Sequence, residues 1–110
     1  MGVDYQVSKA SWDVSRGIRQ FQKAEKDLGK GYTNDAGDHL KKGLRLLGDA
    51  LGHMEKAAED AYNKAGDEIA KGNREMQKSI DEYASGNENS GWRHYNDAMD
   101  CYDRALDIID

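Results

Sequence analysis

Apolar and small residues occur at alternating gaps of four and three over positions 40–65. An α-helix has about 3.6 residues per turn, so residues at this spacing lie on one face of a helix. We therefore expect this segment to be helical and to bury that face against other helices. The positions are Leu40, Leu44, Leu47, Leu51, Met54, Ala58, Ala61 and Ala65.

The same spacing returns 55 residues further on, which indicates two copies of one unit. With that offset, apolar positions align with apolar positions, as Val14 does with Ile69. We interpret residues 1–55 and 56–110 as an internal repeat within a single helical domain, 1–110. The second run consists of Tyr95, Met99, Tyr102, Leu106 and Ile109.

Stretches rich in glycine and asparagine at 29–35 and 85–91 predict the turns inside each unit. Each unit is then an αα-hairpin that cannot bury its apolar face alone. We predict an all-α fold, an antiparallel up-down four-helix bundle built from two duplicated αα-hairpins. The break between the second and third helices is predicted at Gly66–Asp67. The alternative is one continuous central helix over 36–85, with the bundle completed by dimerisation.

Small residues seven positions apart follow the apolar face of the first predicted helix, at Ala10, Gly17 and Ala24. The second unit places Gly72 at the position equivalent to Gly17. A glycine inside a helix costs about 1 kcal/mol relative to alanine, so its recurrence suggests close approach of a neighbouring helix. The alternative is inheritance from the ancestral unit without a remaining steric need.

The second helix of each unit resembles the second helix of a tetratricopeptide repeat over about ten residues. The pattern reads Gly43-x-x-x-Leu47-x-x-Ala50-Leu51 in the first unit and has its counterpart 55 residues later. The tetratricopeptide period is about 34 residues, and the first-helix signature of that family is missing here. We interpret the similarity as convergent packing of small and large residues, and it implies no function.

Composition restricts the class of protein. Charged residues make up 34% of the chain and the net charge is −5, so nucleic acid is a poor partner. No stretch approaches 18 apolar residues, which predicts no membrane span. The start of the chain lacks the features of a secretory signal, and the single cysteine, Cys101, precludes an internal disulfide. We predict a cytoplasmic protein.

Catalytic motifs and metal-binding motifs are missing from the sequence. His39 and His94 are equivalent in the repeat, and the pair is the one candidate for a haem or metal site. Both lie at the edge of the apolar face, which favours two solvated histidines instead. His53 lies alone beside Met54, and Cys101 has aspartates as neighbours, which disfavours a reactive thiolate. We therefore expect no enzyme and no cofactor.

A row of cations and aromatic residues lies opposite the apolar face of the first predicted helix. We call it the basic–aromatic stripe, and its residues are Tyr5, Lys9, Trp12, Arg16, Arg19, Lys23, Lys26 and Lys30. Tryptophan, tyrosine and arginine carry much of the binding energy in protein interfaces. The competing interpretations are solvated charges, pairing with the aspartates of the last helix, and burial in a homodimer.

These patterns predict a non-enzymatic helical-bundle module for protein–protein interaction, with an adaptor-like, chaperone-like or inhibitor-like role. Its partner is another protein or a second copy of the chain. The residues expected to bind the partner are Tyr5, Lys9, Trp12, Arg16, Arg19 and Lys23. The alternative function is a cofactor-binding bundle that uses His39 and His94.

Overall fold

A computed structural model of the chain describes residues 3–57 and 60–109, without the side chains at 3, 4, 60 and 61. Within those residues the chain forms four helices and no strand. The helices are α1 (Val3–Gly29), α2 (Thr33–Ala57), α3 (Asp60–Ala84) and α4 (Glu88–Ile109). No described helix has both the length and the apolar character needed to cross a membrane.

The helices pack as two hairpins. The most extensive contacts join α1 to α2 and α3 to α4, and smaller ones join α2 to α3 and α1 to α4. The bundle measures 44 × 21 × 18 Å. The all-α fold with two helical hairpins is therefore confirmed.

Both turns inside the hairpins have the same hydrogen-bonded form. Each contains a glycine with positive φ, at 82° for Gly31 and 89° for Gly86. After α1, the N–H of Tyr32 donates to the carbonyl of Asp27 at 2.8 Å. After α3, the N–H of Asn87 donates to the carbonyl five residues earlier at 2.9 Å. This is the Schellman arrangement, which needs a left-handed residue and therefore favours glycine.

The predicted break at Gly66–Asp67 is wrong. The described part of α2 ends at Ala57, α3 begins at Asp60, and Gly66 lies inside α3. The continuous central helix over 36–85 is also wrong. The apolar spacing shows which residues face the core. It continues from α2 into α3, because Met54 and Ala65 are both buried although they belong to different helices. Ala58 of the original run lies outside the described residues.

The core lies between the two hairpins and contains the predicted apolar positions. The aromatic rings of Phe21 in α1 and Tyr102 in α4 stack across the hairpins, with centroids 5.7 Å apart and planes 11° apart. Both residues are 0% exposed. Other fully buried large side chains are Val14, Leu47, Ile69 and Met76.

Three helix glycines, Gly17, Gly43 and Gly72, allow close packing of large side chains against the helix backbone. A Cβ atom on Gly17 would overlap the side chain of Leu47, and one on Gly72 would overlap the ring of Tyr102. Gly43 lies against Phe21 in the same way. Gly17 and Gly72 therefore meet a steric need, as one of the two interpretations of the sequence predicts. Leu47 and Tyr102 are themselves 55 positions apart, so the two hairpins make the same type of contact.

Candidate functional site

The basic–aromatic stripe lies on the exposed side of α1, as its spacing predicts. Trp12 is 63% exposed and Tyr5 is 49% exposed, although both are large hydrophobic side chains. All six cations of the stripe are exposed as well. Burying the two rings against a partner would remove apolar surface from water, which is favourable.

An open groove of about 630 Å³ runs beside the stripe. Three serines of α1 form one wall of the groove, and Ile109 of α4 forms part of the other. Serine side chains are short, so α1 and α4 leave space between them at this end of the bundle. The complete lining is Ser8, Ser11, Trp12, Ser15, Arg16, Arg19 and Ile109. Sequence reasoning missed this groove, although the serines are spaced by three and four like the stripe itself.

The cations of the stripe have few ionic partners. Arg16 lies 4.0 Å from Asp13, a buried carboxylate that also faces His53 Nε2 at 3.7 Å. Among the described residues, the other stripe cations form no ion pair. Pairing with the aspartates of α4 is therefore not observed at Asp97, Asp100, Asp103 or Asp107, and Asp110 lies outside the described residues.

Each histidine of the proposed His39/His94 pair bonds within its own hairpin. His39 Nδ1 lies 2.9 Å from Gln20 Oε1, and His39 Nε2 lies 3.4 Å from Asp27 Oδ2. His94 Nδ1 lies 2.7 Å from Glu75 Oε2, and this hydrogen bond lowers the pKa of the Glu75 carboxyl. Both histidines are partly buried.

The two histidines lie on helices that do not pack against each other. They belong to α2 and α4, whose described residues have no Cα atoms within 8 Å of each other because these helices lie diagonally across the bundle. Sequence reasoning missed the partners Gln20 and Glu75. The detectable signal was that these two residues are separated by the repeat offset and precede their histidines by the same 19 positions.

One group of side chains has the composition of a metal site. Glu75, His94 and Asp97 place one possible ligand atom each within 4.8 Å of the others. Sequence reasoning missed this group because the glutamate comes from α3 and the other two residues from α4. The described residues at the equivalent positions of the first hairpin, Gln20, His39 and Lys42, do not offer the same ligands.

Cys101 is buried at 1% exposure, and Arg104 Nη2 lies 3.2 Å from its sulfur. Burial raises the pKa of the thiol. Because the thiolate is the reactive form, we expect alkylation by iodoacetamide to be slower in the folded protein than in urea by about tenfold or more. Mass spectrometry of timed samples measures both rates, with glutathione as the control for reagent reactivity in urea. Equal rates would show that the thiol is accessible in the folded protein.

The fold and the exposed stripe define a compact all-α bundle of two helical hairpins with a candidate docking face. Comparisons of the chain with protein-family models, with curated proteins and with solved structures found no match.

Proposed function

We propose that the protein is a non-enzymatic protein–protein interaction module that binds an acidic helical segment of another protein through the basic–aromatic stripe. The observation that supports this proposal most is the state of α1. It exposes Trp12 at 63% together with cations that form almost no ion pairs within the described residues. Tryptophan and arginine are enriched among the residues that dominate binding energy, so their exposure side by side on one helix favours a binding face.

The charge and spacing of the stripe suggest the chemistry of the partner. From Arg16 to Lys26 the cations recur every three or four residues along α1, so an acidic helix with carboxylates at the same intervals can oppose several of them. The groove beside Trp12 can take an apolar side chain of that helix. Such an interface has an aromatic centre and a charged rim, which is the usual arrangement of protein interfaces.

The proposal includes the origin and location of the module. We propose that residues 1–55 and 56–110 are copies of one ancestral hairpin and that the protein acts in the cytoplasm. The equivalent contacts Gly17–Leu47 and Gly72–Tyr102 support a common origin of the hairpins. The adaptor-like, chaperone-like and inhibitor-like roles all use the same binding face.

A synthetic peptide tests the binding face directly. The probe is a fluorescent amphipathic helix with glutamates on one face and a leucine at its centre, and anisotropy measures its binding. We expect binding that weakens with added salt, because exposed charges are screened over about 10 Å at 0.1 M salt. The same peptide with lysines in place of glutamates should not bind.

A matched pair of variants separates the stripe from general electrostatics. Arg16→Glu/Arg19→Glu reverses two charges on α1, and Lys71→Glu/Arg74→Glu reverses two exposed charges at the equivalent positions of α3. We expect the α1 variant to lose about 2 kcal/mol or more of binding free energy, as interface hot spots do, and the α3 variant to lose less than half of that. Equal losses, or no binding by the unmodified protein, would contradict the proposal.

Light scattering on a size-exclusion column identifies whether the partner is a second copy. The exposed aspartates of α4 offer the stripe of another molecule an acidic helix, so a homodimer would use the same face. We expect the mass of a single chain. If the mass is twice that value and Arg16→Glu/Arg19→Glu returns it to the single-chain value, the partner is a second copy of the chain and not a different protein.

A further inference from the structure

The second hairpin has a histidine between two carboxylates. Glu75 on α3 approaches His94 on α4, with 2.7 Å between Oε2 and Nδ1. Asp97 lies three residues after His94, so the two side chains project from the same face of α4. One possible ligand atom from each of the three lies within 4.8 Å of the others. Imidazole nitrogen and carboxylate oxygen are common ligands of divalent transition metals.

The first hairpin provides an internal comparison. His39 makes the equivalent contact, 2.9 Å from the side-chain oxygen of Gln20, and the residue three positions after it is Lys42. A neutral amide therefore suffices to hold a histidine at this position of the bundle. The second hairpin instead has carboxylates at both places, and carboxylates that lie close together repel each other unless a positive charge lies between them.

The cations already near the group leave it only partly neutralised. Lys78 Nζ lies 3.5 Å from Glu75 Oε1, the carboxylate oxygen that does not contact His94. Its side chain is 59% exposed, so its attraction for Glu75 is weakened by water. Among the described residues, Asp97 forms no ion pair. The carboxylate of Asp97 thus remains available to a cation, and a metal ion at Glu75 Oε2 would replace its hydrogen bond with His94 Nδ1.

We propose that Glu75, His94 and Asp97 form a binding site for one divalent transition-metal ion of the zinc class, with water completing the coordination shell. Two ligand atoms on one tetrahedral zinc ion, each about 2.0–2.2 Å from it, lie about 3.3–3.6 Å apart. Glu75 Oε2 and His94 Nδ1, now 2.7 Å apart, therefore need to separate by less than about 1 Å. Asp97 is exposed and can rotate to supply the third ligand. This inference is independent of the proposed function, because the site lies on the second hairpin and the stripe on α1.

Calorimetric titration of the full chain with zinc chloride tests the site, and the visible absorption of bound Co²⁺ provides a second measurement. We expect one metal ion per chain. Glu75→Gln and Asp97→Lys introduce the residues of the first hairpin, so both should fold while each weakens binding by about tenfold or more, since even outer-shell changes cost that much. His94→Ala should also remove binding, and circular dichroism checks that each variant is folded.

His39→Ala is the matched control, because it removes the equivalent histidine and should leave the affinity for zinc unchanged. Arg16→Glu/Arg19→Glu should leave it unchanged too, which separates this proposal from the one about the stripe. The proposal is overturned if the unmodified protein binds no Zn²⁺ or Co²⁺. It is equally overturned if binding persists undiminished in folded Glu75→Gln and Asp97→Lys, since the contact of His94 with Glu75 would then be structural only.

Discussion

Alanine in place of Phe21 is expected to lower the free energy of unfolding by about 3–5 kcal/mol. The ring of Phe21 is 0% exposed, stacks on Tyr102 and fills the space over Gly43. Removing it takes away buried apolar surface and leaves a cavity where the two hairpins meet. Domains of this size are stable by about 5–15 kcal/mol, so the loss is a large part of the total. Urea denaturation followed by circular dichroism measures it.

Phe21→Met is the matched control for this prediction. Methionine is the residue at the equivalent position of the second hairpin, Met76, which is also 0% exposed. Methionine is smaller than phenylalanine but flexible and apolar, so it should fill part of the space and lose clearly less stability than alanine does. If Phe21→Ala cost less than about 1 kcal/mol, below the usual range for buried aromatic residues, the stacked pair would not be the centre of the core.

The second prediction is that Gly72→Ala destabilises the protein by about 1–3 kcal/mol, the usual cost of overpacking. Helix propensity alone would give the opposite sign, because alanine is favoured over glycine by about 1 kcal/mol inside a helix. The added Cβ would overlap the ring of Tyr102 and lie 2.8 Å from its Cδ1. That ring cannot move aside easily, since it is fully buried and its hydroxyl donates to Asn73 Oδ1 at 2.8 Å.

Gly48→Ala separates sterics from propensity. Gly48 lies inside α2 and is exposed, and an added Cβ would have nothing within 4 Å. This variant should gain about 1 kcal/mol. In a Tyr102→Leu background, Gly72→Ala should cost less than it does in the unmodified protein, because leucine is smaller and can change rotamer. Stabilisation by Gly72→Ala alone would show that the helices are farther apart than the structure has them.

The all-α class and most of the core followed from periodicity, because burial of one helix face leaves a direct record in the sequence. Ile69, Met76 and Tyr102 are buried where their spacing places them. The boundary between α2 and α3 left no such record, because neither glycine nor asparagine occurs between Ala57 and Asp60. The repeat predicts this boundary better than the turn-forming residues do. If its second copy starts at residue 56, the third helix must begin close to that point, and Gly66 is then interior.

The candidate site was predictable only where it lies on one helix. Apart from Lys30, the stripe belongs to α1, so its exposure followed from its position opposite the core. The groove needs both α1 and α4, and the group of Glu75, His94 and Asp97 needs both α3 and α4. Contacts of this kind depend on which helices are neighbours and at what height, and a single amphipathic pattern does not contain that information. The partners Gln20 and Glu75 lie on a different helix from their histidines, and only their common 19-residue spacing in the repeat pointed to them.

Because the most extensive contacts join α1 to α2 and α3 to α4, the order of synthesis affects how the chain folds. Contacts between neighbours close short loops, which costs little chain entropy and allows folding within microseconds to milliseconds. Ribosomes add only about 5–20 residues per second. All residues of the first hairpin are therefore synthesised before Tyr102. Phe21 lacks its stacking partner for about 2–9 s after Ala57 is added. During that interval the apolar face of the nascent hairpin is open to chaperones and to aggregation.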